Sequence, residues 1–314
     1  MKRIAFVAIM VLQSVYTAGQ VRHITVSTDG SGEFTSVQEA VNSIRAYMSD
    51  TTYMFIKAGA YREKIVIPSW VTNLFMKGEG AENTIITWDD YAGLRDMGTF
   101  RTYTIWIQGS GFTAEDITFE NSAGPVRQAV AVHADGDRAV FRRCRLLGNQ
   151  DTLLTASQES RQYYEECYIE GTTDFIFGPA TAWFERCIIH SRKNSYITAA
   201  STVEDHEFGY VFNRCRLTAA DGVESVYLGR PWRPYAATVF IRCELGSHIL
   251  PEGWHNWDNP SNEKTARYAE YRNTGPGANT GTRVPWSRQL SRKEAKVYTV
   301  ENVFARHDGW LPVR

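Results

Sequence analysis

The chain has 314 residues, with 34 Lys and Arg against 35 Asp and Glu and a hydrophobic share of 43%. This is the composition of a soluble globular protein. Basic residues such as Arg142, Arg143 and Arg145 are interleaved with acids elsewhere in the chain, so no basic footprint for a nucleic-acid partner is present and none is expected.

At the N-terminus, Lys2 and Arg3 precede the apolar run "IAFVAIMVL", and Thr17, Ala18 and Gly19 follow it. A basic start, a short apolar core and a small-residue exit describe an export signal. Residues 1–19 are expected to be removed near Gly19, sending residues 20–314 to the periplasm or the medium as one domain. The run is too short to span a bilayer stably, and no later apolar stretch is long enough, so no membrane association is expected.

Next comes "FTSVQEAVNSIRAYM", with apolar residues at 37, 40, 41, 44 and 48, the spacing of one helix face. Either Thr35 with Gln38 or Ser36 with Glu39 is placed to form a capping box. A short amphipathic helix here would cover the open end of a stacked structure.

The stacking is announced by five cysteines: 144, 167, 187, 215 and 243. Their surroundings read "FRRCRL", "YEECYI", "FERCII", "FNRCRL" and "FIRCEL". Each is an aromatic, two residues, Cys, one residue and an aliphatic. A motif recurring every 20 to 28 residues is the mark of a solenoid. Each copy is strand-like and too short for a helix. The all-β reading that fits is a parallel β-helix, one coil per repeat, with cysteine as a small buried hydrophobe in an internal column. Free thiols are preferred over a disulfide framework, although a bond between neighbours stays open. The close ligand pairs of a metal site are missing, and the signatures of leucine-rich and propeller repeats are absent.

Two aspartates fall on this column. Asp151, in "GNQDTLL", and Asp174, in "TTDFIFG", each lie seven residues after a motif cysteine. If the cysteines stack, the two carboxylates sit about 5 Å apart on adjacent coils. Charges at that distance repel by about 3 kcal/mol at an effective dielectric near 20. One acid then tends to hold its proton while the other ionises, the split needed for a nucleophile and a general acid. Such spacing also suits a retaining glycosidase. Gln150, beside the first acid, and Gln128, about one coil earlier, favour an ester instead, because amide donors stabilise an oxyanion and offer little to an oxocarbenium centre.

The stretches "RQAVAVHADGDRAVFRRCRLLGNQDTLL", "TTDFIFG", "YLGRPWRPYA" and "YRNTGPGA" resemble the pectin methylesterases (pectinesterases, carbohydrate esterase family 8). The resemblance runs from "VSTDGSGEFTSVQEAV" to "TRVPW", nearly the whole mature chain. It implies a single-stranded right-handed parallel β-helix and release of methanol from methylesterified homogalacturonan (pectin), without metal or other cofactor. Carried over by position, it implies Asp174 as nucleophile and Asp151 as general acid, then base. Gln150 and Gln128 match the oxyanion amides and Arg230 the partner that lowers the Asp174 pKa. Trp232 and Phe177 match substrate-facing aromatics. Leu154 stands where the family commonly has an aromatic, and Thr173 where many members have Val. A monomer is expected. Three other readings remain: an enzyme that cuts the polygalacturonate chain, an esterase of this fold acting on another acyl ester, and a silent solenoid that binds polysaccharide or caps a larger assembly. No Ser–His–Asp or G-x-S-x-G pattern appears.

Overall fold

The computed structural model describes residues 21–305 and 308–312. The expected leader lies outside the described residues. Three sheets of eleven, eight and seven strands run along the molecule, and each complete coil supplies one strand to each, the end coils fewer. One coil, for example, gives Ala139–Arg142 to the first, Arg145–Leu147 to the second and Leu153–Thr155 to the third. Pairing with the next coil is parallel throughout it. This is the parallel β-helix that the repeat predicts. No helix among the described residues is long and apolar enough to cross a membrane.

The repeated motif builds the interior. All five cysteines are buried and free. Each thiol donates to a carbonyl one coil below, at 3.5 Å for Cys144 on Ala114, 3.4 Å for Cys187 on Tyr164 and 3.3 Å for Cys215 on Phe184. The motif aromatics form a second column: Phe141, Tyr164, Phe184, Phe212 and Phe240 stack with centroids 4.4–4.9 Å apart. Parallel stacking at the strand spacing requires a ring at the same place on every coil, and this is why the sequence repeats its aromatic. Phe184 is fully buried between two partners. Phe184→Ala is expected to cost about 3–5 kcal/mol, read as a fall in the urea midpoint. An unchanged midpoint would show that the column does not hold the coils together.

The residue before each motif cysteine (Arg143, Glu166, Arg186, Arg214 and Arg242) has φ between 49° and 55°. The left-handed corner turns the chain from the eleven-stranded to the eight-stranded sheet. It costs a non-glycine residue roughly 1 kcal/mol, and the coil geometry imposes it.

The N-terminal helix is Val37–Asn42, shorter than the apolar spacing to residue 48 predicts. Val37, Ala40 and Val41 are buried against the terminal strands Arg22–Val26 and Ile65–Ile67, so it covers that end of the core. Ser36 is the N-cap, but the reciprocal partner is not Glu39. Glu63 of the next coil accepts from the Ser36 hydroxyl and from the N–H groups of Val37 and Gln38. The carboxylate arrives from 25 residues away, at the end of the helix where negative charge is favoured.

At the other end the chain becomes irregular, as expected, yet Arg267–Tyr271 and Arg288–Gln289 still extend the eleven-stranded sheet. The tail then returns along that sheet's outer face. Val303 and Phe304 join a buried cluster that includes Val140, Tyr163, Trp183 and Val211, with the Phe304 ring edge-on to Tyr163. Arg161 ties it down, donating to the Phe304 carbonyl at 2.8 Å and pairing with Asp308 at 2.6 Å.

Candidate active site

The seven-stranded sheet carries the site on its outer face. Leu153–Thr155 pairs with Ile176–Gly178, which pairs with Tyr196–Ala200. Register places Trp106, His133, Leu154, Phe177 and Ala199 side by side on five successive strands. Five strands span about 19 Å. The row is the floor of a groove.

Just before the strands, the turns at Asp151 and Asp174 hold both residues left-handed, at φ 67° and 49°. Aspartate tolerates that region better than most residues. The Asp151 N–H donates to the Thr173 carbonyl at 3.1 Å, and that of Asp174 to the Tyr196 carbonyl at 2.8 Å. The two acids therefore occupy equivalent turns on adjacent coils. Gly171 makes the second turn possible: a Cβ there would lie 2.2 Å from that of Phe175 and 2.6 Å from the Asn149 carbonyl oxygen.

A cleft of about 690 Å³ opens over the turns, lined by Gln128, Gln150, Asp151, Asp174, Phe177, Arg230 and Trp232. All seven residues singled out in the sequence meet in this one place. Arg230, two strands beyond Asp174, reaches back and grips both carboxylate oxygens with one edge, Nε to Oδ1 at 3.0 Å and Nη2 to Oδ2 at 2.7 Å. The Asp151 side chain has no hydrogen-bonding partner among the described residues and faces the cleft.

Electrostatics separate the acids. Burial, with the Asp174 charge adding to it and Arg230 opposing, pushes the Asp151 carboxyl up to about 8. Burial also raises Asp174, and its bonds to Arg230 pull it back. The net direction at Asp174 is upward, whereas the resemblance implies a lowered value. Taking a carboxylate out of water outweighs even a bidentate arginine here. The order of ionisation is kept, because the cation is bonded to Asp174.

Several residues of the cleft are missed by the sequence reading. Phe100, on the short 3-10 turn Thr99–Arg101, overhangs the groove and packs on Trp232. His133, in the floor, has its Nδ1 3.1 Å from the Phe100 carbonyl oxygen and its Nε2 3.3 Å from Asp135. Trp257 lines the cleft, and with Tyr196 it encloses the Arg230 guanidinium. Phe100 and Trp257 belong to excursions from the coil, where no period assigns them a place. Leu154 is buried beside Phe177, Val130 and Ala199, and the Thr173 hydroxyl is bonded to Ser195 at 2.8 Å. Among the described residues no group of three or more His, Cys, Asp or Glu side chains is placed to hold a metal ion.

A three-sheet solenoid with an acid pair set in a groove on one outer face defines the class, a parallel β-helix hydrolase. The sequence profile of the pectinesterases matches residues 23–307. Pectinesterase 31 of Arabidopsis thaliana is 40% identical over 285 residues, covering 87% of this chain and 89% of its own length. Against the pectinesterase/pectinesterase inhibitor proteins of Brassica napus and Brassica campestris the chain spans about half of the relative's length, 50% and 51%. The solved pectin methylesterase from carrot superposes with a TM-score of 0.87 at 36% identity, covering 92% of this chain and 94% of that one. A pectin methylesterase solved in complex with a hexasaccharide gives 0.81 at 29% identity, covering 94% of this chain and 100% of its own. The chain belongs to the pectinesterase family, and it is a carboxylic ester hydrolase with the activity of a pectin methylesterase.

Proposed function

We propose that this cleft removes methyl groups from methylesterified homogalacturonan through Asp174 and Asp151. The observation that carries the reading is the unequal acid pair: one carboxylate gripped by Arg230, the other buried without a cation and raised to about 8.

Asp174, ionised, attacks the ester carbonyl carbon. The carbonyl oxygen takes the negative charge, and the side-chain amides of Gln128 and Gln150 donate to it. As the tetrahedral centre collapses, the carbon–methoxide bond breaks and Asp151 gives its proton to the leaving oxygen, so methanol departs. The galacturonate is left as an anhydride on Asp174. Asp151, now a carboxylate, takes a proton from water, and the hydroxide attacks the acyl carbon. Collapse expels Asp174 as its carboxylate and leaves Asp151 protonated again, and the galacturonic acid formed gives its proton to solvent.

The floor row, with Phe177 in it, and the aromatics Phe100 and Trp232 beside it suit an extended sugar chain. The relative solved with a hexasaccharide supports polymer binding here. On this reading residues 20–314 are the working domain, a monomer exported to the periplasm or the medium after loss of residues 1–19.

The test is the purified mature chain with highly methylesterified pectin. Methanol and new carboxylates are expected in equal amounts, at a rate unchanged by chelators. New reducing ends or unsaturated uronides without methanol would overturn the reading in favour of chain cleavage, and binding without turnover would leave a silent solenoid.

A further inference from the structure

Arg230 is held on both faces as well as at its edge. Its guanidinium carbon lies 3.9 Å from the Tyr196 ring centroid and 3.7 Å from that of Trp257. Both distances are close to van der Waals contact, well inside the reach at which an aromatic face attracts a cation. The two rings are themselves anchored. Tyr196 stacks on Tyr227 with centroids 5.3 Å apart and planes 13° from parallel, and His255 sets its edge against both, at 5.4 and 5.2 Å. The Nδ1 of that same His255 accepts the backbone N–H of Trp257 at 3.0 Å, holding a residue whose φ is 61°. Strand, imidazole and turn thus form one support.

Resting on the roles given to Asp174 and Arg230 above, we infer that Tyr196 and Trp257 are positioning residues that clamp Arg230 between their rings and so aim and strengthen its grip on Asp174. A guanidinium is flat and weakly hydrated, and it accepts aromatic stacking on its faces while its edge donates. Covering both faces leaves the edge as its free side, and that edge is occupied by the two carboxylate oxygens. Water is kept from both faces of the cation and the side chain is kept from swinging. The charge of Arg230 is thereby spent on Asp174, and Asp174 ionises more readily than it would beside a mobile arginine. The two rings differ in one respect. Trp257 also lines the cleft, whereas Tyr196 lies behind Arg230 and is not among the lining residues.

That difference makes Tyr196 the clean probe. Tyr196→Leu is expected to lower kcat about tenfold and to move the acidic limb of the kcat/KM profile upward by about one pH unit, with KM little changed. Tyr196→Phe keeps the ring and is expected to recover the limb and most of the rate. Trp257→Leu is expected to shift the limb likewise and to raise KM as well. A folded Tyr196→Leu protein whose rate falls with no shift of the limb would show a merely structural role and overturn the clamp. So would a Tyr196→Phe protein as impaired as Tyr196→Leu. If Asp174→Asn retains full activity, the mechanism itself fails, and that outcome is separate from both.

Discussion

Asp174→Asn is expected to lower methanol release from pectin by about 10⁴-fold or more, since an amide cannot form the acyl-enzyme on which both half-reactions depend. Asparagine is preferable to alanine for a reason visible in the site. The Arg230 side chain is 18% exposed and that of Asp174 7%, so deleting the carboxylate outright would strand a largely buried cation. The asparagine oxygen still accepts from one edge of the guanidinium. Its remaining cost in stability is read separately from the loss of rate, by thermal unfolding. A residual rate within tenfold of wild type, in protein that unfolds cooperatively, would mean that another group attacks the ester.

Asp151→Asn is expected to cost about a thousandfold in kcat, within the range of general acid–base catalysis. It carries a second signature in the opposite direction. The Asp151 carboxyl is raised from 3.8 to about 8 in the folded chain, so between those values the unfolded chain ionises this group while the folded chain holds the proton. The unfolded state binds fewer protons there, and stability falls as the pH rises through that window. Above about pH 8 both states are ionised and the whole penalty remains, of the order of 5 kcal/mol. Asparagine never ionises and escapes it. The inactive variant is therefore expected to match wild type near pH 4 and to melt at higher temperature above pH 8. Wild-type kcat/KM is expected to fall across about pH 8, as the acid needed by the departing methoxide is lost. Equal melting temperatures for the two proteins at alkaline pH would sink the assignment of a raised carboxyl.

The acid pair is legible from sequence because a solenoid converts spacing into position. Seven residues after the stacked cysteines at 144 and 167 is the same place on two adjacent coils, and the left-handed turns at Asp151 and Asp174 bear this out. The amide at 128 is harder to place. Its coil has Ile117, fully buried, where the others have cysteine, so the count rests on period alone. Arg230 becomes readable only through the family resemblance, because nothing local says that it bridges two strands to reach Asp174. Trp257 lies past the last motif cysteine, where no register exists to carry forward. The coil corners are invisible for another reason: arginine and glutamate sit left-handed at Arg143, Glu166 and Arg186, with none of the glycine or asparagine that signals such a turn. The upward net shift of Asp174 depends on how much water reaches it, and spacing does not encode that.

The returning tail has a consequence for how the molecule comes apart. Solenoids touch only their neighbours along the axis, so they tend to fray from the ends and to open one repeat at a time. Here residues 303 and 304 belong to one buried cluster with Val140, Tyr163, Trp183 and Val211, which lie on four consecutive coils, two of them holding Asp151 and Asp174, and Phe304 packs edge-on against Tyr163. Together with Arg161, which holds the Phe304 carbonyl and Asp308, that contact splints the coil carrying Asp174, so this coil opens only when the tail is released.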